Sequence, residues 1–259
     1  MPDEPRLGDA YGEIMRAALA EETGVGVRPT IGGTIPRPVI EIVERDDGLI
    51  NGAPAARYLC GPSQWQPFDL RALDRLDGRT LDIGTGAGRL ALALQERGVP
   101  VVGLDVSPAT VEVAAARGVR ATVCATVGEH ARAAGQRYDC FAMLGNNMGL
   151  LEGRHRAGDF LDALAAMARP GARVVAQGTD PYATTDSVHV TYHERNRAAG
   201  WLGGQLRIRV RYRDVATEWF DYLLCTAEEL ARLVASTPWR VEEIDDADAP
   251  FYVAVLRLT

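Results

Sequence analysis

The sequence predicts an α/β fold centred on a mostly parallel β-sheet, and three observations carry that prediction. Between Arg79 and Gln177, short apolar runs alternate with stretches of helical periodicity, as parallel strands joined by helical crossovers require. The glycine-rich segment Leu81-Asp82-Ile83-Gly84-Thr85-Gly86-Ala87-Gly88-Arg89 links one run to the helix after it. Further on, Gln205–Arg213 alternates strictly between arginine and apolar residues, the pattern of a half-buried strand.

Ala10–Glu22 reads as a short helix, with Tyr11, Ile14, Met15, Ala18 and Leu19 at helical spacing. Thr23–Pro38 is rich in Gly and Pro and reads as loop. Ile50–Trp65 is irregular, and Pro67–Leu76 is a second helix. Arg79–Ile83 is a buried strand. Ala87–Arg97 is a helix closed by Gly98. After the strand Val99–Leu104, Ser107 caps a helix that carries Pro108 in its first turn and ends at Arg117–Gly118. Val119–Cys124 and Tyr138–Leu144 are strands. Asp159–Ala168 is a helix stopped by Pro170–Gly171, and Ala172–Gln177 is the fifth strand. Trp219–Leu224 pairs with Gln205–Arg213 as a hairpin. Arg207, Arg209, Arg211 and Arg213 form its solvated face, near Asp214, Glu218 and Asp221. Thr226 opens a helix to Ala235, with Glu229 completing a capping box. Trp239–Ile244 and Phe251–Leu258 are the last strands.

Composition removes several function classes. All 28 basic residues are arginine. Without lysine there is neither a Schiff-base amine for pyridoxal chemistry nor a Walker-A lysine for nucleotide hydrolysis. A formal charge of −7 and a pI near 5.2 do not suit a nucleic-acid backbone. Cys60, Cys124, Cys140 and Cys225 show no CxxC spacing and read as free thiols in a reducing compartment, Cys124 and Cys140 lying in apolar strand-like segments. No signal-peptide core follows the N-terminus, and no apolar run approaches the roughly 20 residues of a membrane span. A cytoplasmic protein without membrane contact is expected.

The glycine loop carries the sharpest chemistry. Glycines between a strand and a helix let the backbone approach a ligand, and the helix N-terminus offers free N–H groups. The next strand leads to Asp105, whose carboxylate can take both hydroxyls of a ribose. The spacing is G-x-G-x-G, with Arg89 where a dinucleotide fingerprint has Gly or Ala. Asp82 just before the loop would repel a pyrophosphate and attract an ammonium group. A nucleoside with a cationic amino-acid tail fits, and S-adenosylmethionine (SAM) is such a molecule.

The segments LDIGTGAGRLALALQERG, VVGLDVSPATVEVA and YDCFAMLGNNMGLL resemble the first, second and fourth-strand motifs of the class I SAM-dependent methyltransferases. The last resembles small-molecule enzymes of the glycine N-methyltransferase type. The resemblance covers about Gly78–Gln177 well. It implies a Rossmann-like, seven-stranded sheet with an antiparallel last strand, under an N-terminal helical cap (1–77). The main domain would span 78–259, with a β-hairpin lid inserted at 179–225. It also implies a cofactor site of Asp82, Gly84, Thr85, Gly86, Gly88, Asp105, Val106, Thr126, Val127 and Gly145, with Tyr58 facing the sulfonium. After the third strand the family usually carries an acidic residue. Here the stretch is Cys124-Ala125-Thr126-Val127, so Thr126 or backbone groups stand in for it.

The acceptor side follows from the rule that ligands sit outside the carboxyl ends of parallel strands. Asn146 is the expected aligning residue, and His193, in the long insertion, the candidate base. Asn147, Asp180, Tyr182 and Trp65 are expected to bind the acceptor. His189 and His193 stand four apart, but no carboxylate lies between them and no third ligand is suggested, so no metal is expected. The expected activity is methyl transfer to an N or O nucleophile of a small molecule. The alternatives are cyclisation or cleavage of SAM itself, or SAM binding without turnover. No NPPY- or DPPY-like tetrapeptide points to nucleic acid, and a homodimer stays open.

Overall fold

A computed structural model of the protein describes residues 4–24, 38–133 and 135–259. Most of the expected Gly/Pro-rich loop, 25–37, lies outside the described residues. The strands are β1 (Arg6–Leu7), β2 (Ile40–Arg45), β3 (Ile50–Pro54), β4 (Thr80–Ile83), β5 (Val101–Asp105), β6 (Thr122–Cys124), β7 (Tyr138–Met143), β8 (Ala168–Thr179), β9 (Gln205–Tyr212), β10 (Val215–Ala216), β11 (Phe220–Leu223), β12 (Trp239–Asp248) and β13 (Phe251–Leu258). The α-helices are α1 (Ala10–Thr23), α2 (Pro67–Asp74), α3 (Arg89–Glu96), α4 (Pro108–Ala116), α5 (Val127–Ala133), α6 (Ala157–Ala166), α7 (Ser187–Ala198) and α8 (Ala227–Val234).

Seven strands form the main sheet in the order β12-β13-β8-β7-β4-β5-β6. The pairs β8–β7, β7–β4, β4–β5 and β5–β6 are parallel. The last strand, β13, runs antiparallel between β8 and β12. Strands covered on both faces need near-continuous apolar runs, and every residue of β4 and β5 is buried. One face packs Leu161, Leu164, Leu230 and Leu233 from α6 and α8. The other packs Leu73, Leu90, Leu94 and Ala114 from α2, α3 and α4. The expected stop at Pro170–Gly171 is instead a jump within one strand. Pairing passes from Tyr138–Ala168 to Cys140–Arg173, so the proline leaves the ladder while β8 continues.

A second sheet lies outside the expected architecture. It has the order β1-β10-β9-β2-β3, with β11 also on β9. The stretch expected to be irregular contains β3, which pairs antiparallel with β2. The insertion carries helix α7 as well as the β9–β11 hairpin. The segments read as an N-terminal cap and an inserted lid are one sheet, because β2 pairs with β9 and β1 with β10. Helix α1 supports it: Ile14, Met15 and Ala18 pack with Val210 of β9 and with Ala87 and Val113 of the main layer. Asp9 caps α1 by accepting from Gly12 N at 2.9 Å and also accepts from Ser107 Oγ at 2.7 Å. One carboxylate thus pins the added layer to the start of α4.

The arginine face of β9 finds its partners in that neighbouring strand. Arg209 and Arg211 both bridge to Glu44 of β2, at 2.8 and 3.3 Å, and Arg207 reaches Asp221. Asp214 and Glu218 make none of these bridges. Cys140 and Cys225 are buried, Cys60 is half-buried, and Cys124, at the sheet edge, is exposed. No helix among the described residues is long and apolar enough to cross a membrane.

Candidate active site at the carboxyl edge of the sheet

The glycine loop leaves β4 at Ile83. The N–H groups of Gly84 and Thr85 both donate to Leu104 O of β5, at 2.8 and 3.0 Å. Gly86 has φ +57, and a side chain there would point into open space, meeting only Tyr11 Oη at 3.8 Å. It lines the cavity, as do Gly84 and Gly145. Gly88, expected in the same role, is not on the cavity wall. Its added Cβ would lie 2.5 Å from Val119 Cγ2, so its absence allows α3 to pack closely.

Asp82 lies just below the cavity. Its carboxylate, 3% exposed, lies beneath the loop and accepts from Thr85 Oγ1 at 2.7 Å. Burial pushes its pKa up to about 6. It is not on the cavity wall. Asp105 is: its two oxygens accept from Gly86 N at 3.1 Å and Ser107 N at 3.0 Å, and burial raises its carboxyl above the usual range. Val106, an apolar side chain left 66% exposed, faces the cavity beside it, with Thr126 and Val127. The Thr126 hydroxyl is already engaged, donating to Glu129 at 2.8 Å in the first turn of α5.

The turn after β7 joins the loop to the rest of the edge. Gly145 and Asn146 take φ of +69 and +67. Gly145 N donates to Gln177 Oε1 at 2.6 Å, Thr179 Oγ1 donates to Asn146 Oδ1 at 3.1 Å, and Tyr222 Oη donates to Asn146 O at 2.6 Å. Asn147 donates through Nδ2 to Ile83 O and Gly84 O, at 2.8 and 3.1 Å. It therefore ties β7 to the glycine loop rather than presenting its amide N–H groups to an acceptor. Nearby, Gln177 Nε2 donates to Asp69 Oδ1 at 2.9 Å, and Arg89 lies 3.3 Å from Asp69. Trp65, expected to line the acceptor site, is buried beneath Arg89 with its indole N–H on Cys60 O, off the cavity.

These edges floor a cavity of about 1910 Å³. That exceeds the roughly 300–1,000 Å³ of a single ligand pocket and leaves room for two molecules. The second sheet is its roof: Glu41, Val43 and Arg45 alternate downward from β2, and Leu206, Ile208 and Val210 from β9. Glu41, 3% exposed, accepts from Tyr58 Oη at 2.8 Å and from Arg57. Tyr11 packs edge-on against Tyr58 at 5.6 Å. Burial pushes Tyr58 up to about 12 and raises Tyr11 and Tyr222 too, so all three phenols stay protonated at neutral pH.

Helix α7 closes the far end. His193 is 4% exposed, lines the cavity and makes no side-chain hydrogen bond among the described residues. Burial lowers its pKa, with Arg197, His189 and Arg45 acting in the same direction against Glu229. His189 lies on the same wall, and its Nδ1 is 3.1 Å from Arg45 Nη1. Guanidinium is only a donor, so that nitrogen is the acceptor. Asp180 lines the cavity. Tyr182 does not; its hydroxyl donates to Glu229 at 2.7 Å behind the wall. Tyr11, Glu41, Arg45, Asp69, Arg89, Gln177 and Tyr222 are cavity residues the sequence reading missed. Among them Arg89 carried a signal, its place directly after the glycine loop.

Residues 80–171 match a family model described as a methyltransferase domain. No curated protein sequence matches the chain. Among solved structures, a SAM-dependent methyltransferase from Bacteroides fragilis, in complex with S-adenosyl-L-homocysteine, is 23% identical. It superposes with a TM-score of 0.78, covering 99% of both chains. A SAM-dependent methyltransferase from Methanosarcina mazei is 14% identical over 75% of this chain and 98% of its own, with a TM-score of 0.56. The CcbJ methyltransferase from Streptomyces caelestis is 18% identical over 76% and 94%, with a TM-score of 0.54. Residues 80–171 thus match a methyltransferase-domain model, and with its antiparallel last strand the chain has the class I, Rossmann-like fold of the SAM-dependent methyltransferases.

Proposed function

We propose that the protein transfers the methyl group of SAM to an N or O nucleophile of a small molecule enclosed between the two sheets. One observation carries the reading: a single cavity runs from the Gly86–Asp105 edge to α7, too large for a cofactor alone, with the second sheet overhanging it. A cleft between two sheets suits a small acceptor better than a polymer.

The residues present fit the cofactor. The Asp105 carboxylate is already oriented by two backbone N–H groups, as ribose hydroxyls require. Val106 and Val127 offer apolar faces for an adenine ring. Gly86 opens the space an amino-acid end would fill. When bound, SAM supplies an electrophilic methyl on a sulfonium. Tyr11, Tyr58 and Tyr222 line the cavity, and aromatic rings there favour a cation. The turn at Asn146, fixed by Tyr222 and Thr179, aligns the acceptor. With its lowered pKa, His193 is neutral at pH 7 and can take a proton from a hydroxyl acceptor. An amine that arrives neutral needs no such step.

The test is an acceptor screen with methyl-deuterated SAM, read by mass spectrometry. Transfer yields S-adenosylhomocysteine and an acceptor that gains the labelled methyl. Methylthioadenosine without a labelled acceptor would refute the proposal, as would binding with no product across amines, phenols and carboxylic acids.

A further inference from the structure

We infer that Arg89 binds the carboxylate of the cofactor's amino-acid end, with Asp69 and Gln177 as positioning residues behind it. This rests on the cofactor reading above.

Arg89 is the first residue of α3, directly after the glycine loop, and its guanidinium is on the cavity wall. A Cβ added at Gly145 would lie 3.9 Å from its Nη2. The group therefore sits between the turns after β4 and β7, where an amino-acid end lying along Gly84–Gly86 would place its carboxylate. Its pairing is loose. The contacts to Asp69 measure 3.3 and 3.4 Å, against about 2.7–2.9 Å for charge-assisted bonds. Guanidinium carries five N–H donors, so among the described residues most of this one's capacity is unused.

The other arginines of the wall are committed or elsewhere. Arg45 is held by Asp47 at 2.6 and 2.8 Å. Arg57 is held by Glu41 and by Tyr58 Oη at 2.7 Å. Arg132 and Arg156 stand near α5 and α6, away from the glycine loop.

The fork is held in place without being consumed. Its plane lies 4.9 Å over the Trp65 ring. Asp69 is 5% exposed and shares Oδ1 with Gln177, which is 1% exposed and in turn accepts from Gly145 N. Arg89, Asp69, Gln177 and Gly145 thus form one chain from the cofactor's acid end to the turn that carries Asn146. Asp69 balances the arginine charge before a ligand arrives, and a ligand carboxylate would take the free N–H edge.

Titration calorimetry on the full chain with SAM and with decarboxylated SAM separates this role from general folding. Both probes are sulfonium cations and differ by one carboxylate. The wild type should prefer SAM by about 10- to 100-fold, the range of a charged hydrogen-bonded pair. Arg89→Met should lose that factor for SAM, leave decarboxylated SAM unchanged and so abolish the preference. Arg57→Met should keep it. Asp69→Asn should weaken SAM alone, by less than Arg89→Met. If Arg89→Met does not fold, Arg89→Lys keeps a charge without the fork and should lower SAM affinity selectively. A preference that survives in the Arg89 variants, an equal loss for both probes, or a preference lost in Arg57→Met would overturn the assignment of Arg89. Failure of the wild type to bind either probe would overturn the cofactor reading, and this inference with it.

Discussion

Asp82→Asn tests whether the carboxylate beneath the glycine loop is held at a cost to stability. Burial dominates its environment and moves its pKa from 3.8 to about 6, although Thr85 and Arg89 favour the charged form. That displacement corresponds to about 3 kcal/mol in favour of the protonated form. A folded pKa above the unfolded one adds stability that is fully present below the unfolded value and is lost as pH rises through the folded one. Asp82 should therefore cost the protein stability progressively between about pH 4 and pH 7. Asparagine keeps an oxygen for the Thr85 hydroxyl but cannot ionise. The difference in melting temperature, variant minus wild type, should rise across that window by up to roughly 6–12 °C, at about 2–4 °C per kcal/mol for a chain of this size. The amide N–H groups of the new residue, buried without an acceptor, lower the whole curve without changing that slope. Scanning calorimetry from pH 4.5 to 8 reads it directly. A difference that is flat with pH would refute the argument that Asp82 is desolvated. A cationic ligand above the loop should favour the ionised form, so Asp82→Asn should also bind SAM more weakly than wild type at pH 8.

The other predictions follow from single contacts. Asp105→Asn should weaken SAM binding by about 1.5–3 kcal/mol, since the ribose loses a charged acceptor, and unchanged calorimetric affinity would remove Asp105 from the site. Asn147→Ala should lose the two bonds to Ile83 O and Gly84 O and lower stability by about 1–2 kcal/mol; a denaturant midpoint equal to wild type would contradict that tie. Deleting 179–225 should leave no natively folded protein, because β9 carries β2, β10 and β11; a cooperative melt with retained SAM binding would show the roof to be dispensable. His193→Gln should leave kcat/KM independent of pH where the wild type shows an acid limb below the ordinary histidine value of about 6.5. Identical profiles would remove His193 as a base and favour an amine acceptor.

The main sheet was legible because its determinants are local. Buried parallel strands need continuous apolar runs, and Leu81–Ile83 and Val101–Leu104 supply them. Ser107 with Pro108, and Thr226 with Glu229, mark helix starts through side chains that satisfy their own first turns. The second sheet was hidden because its pairings are distant in sequence. Ile42 meets Arg211, and Arg6 meets Val215; nothing near Ile42 marks its partner. Ile50–Pro54 contains Asn, Gly and Pro, which suit loops, and pairing with β2 overrides that preference. The site shows the same division. Gly86 and Asp105 lie on the first two strand–turn units and were found. Glu41, Arg45 and Tyr222 reach the cavity only through long-range pairing. Trp65 and Tyr182 were misplaced because an aromatic near a site satisfies its polar atom equally well behind the wall, on Cys60 O or Glu229.

The joining of both ends of the chain in one roof also bears on how specificity is divided. The floor is built by consecutive strand–helix units, and at Gly86 and Asp105 it offers backbone geometry and one carboxylate. The roof is built by β2 from the first part of the chain and β9 from the last third, held together by Glu44 between Arg209 and Arg211. Each supplies every second residue downward: Glu41, Val43 and Arg45 from one strand, Leu206, Ile208 and Val210 from the other. A substitution at any of these six positions changes the acceptor space without touching Gly86 or Asp105. A one-residue slip of β2 on β9 would turn all three β2 residues outward together, so the two halves can be retuned only in register. The polar groups of β2 stand at its ends, Glu41 toward Tyr58 and Arg45 toward His189, with Val43, Ile208 and Val210 between them. A ligand lying along the roof would therefore meet a polar end, an apolar span and a second polar end.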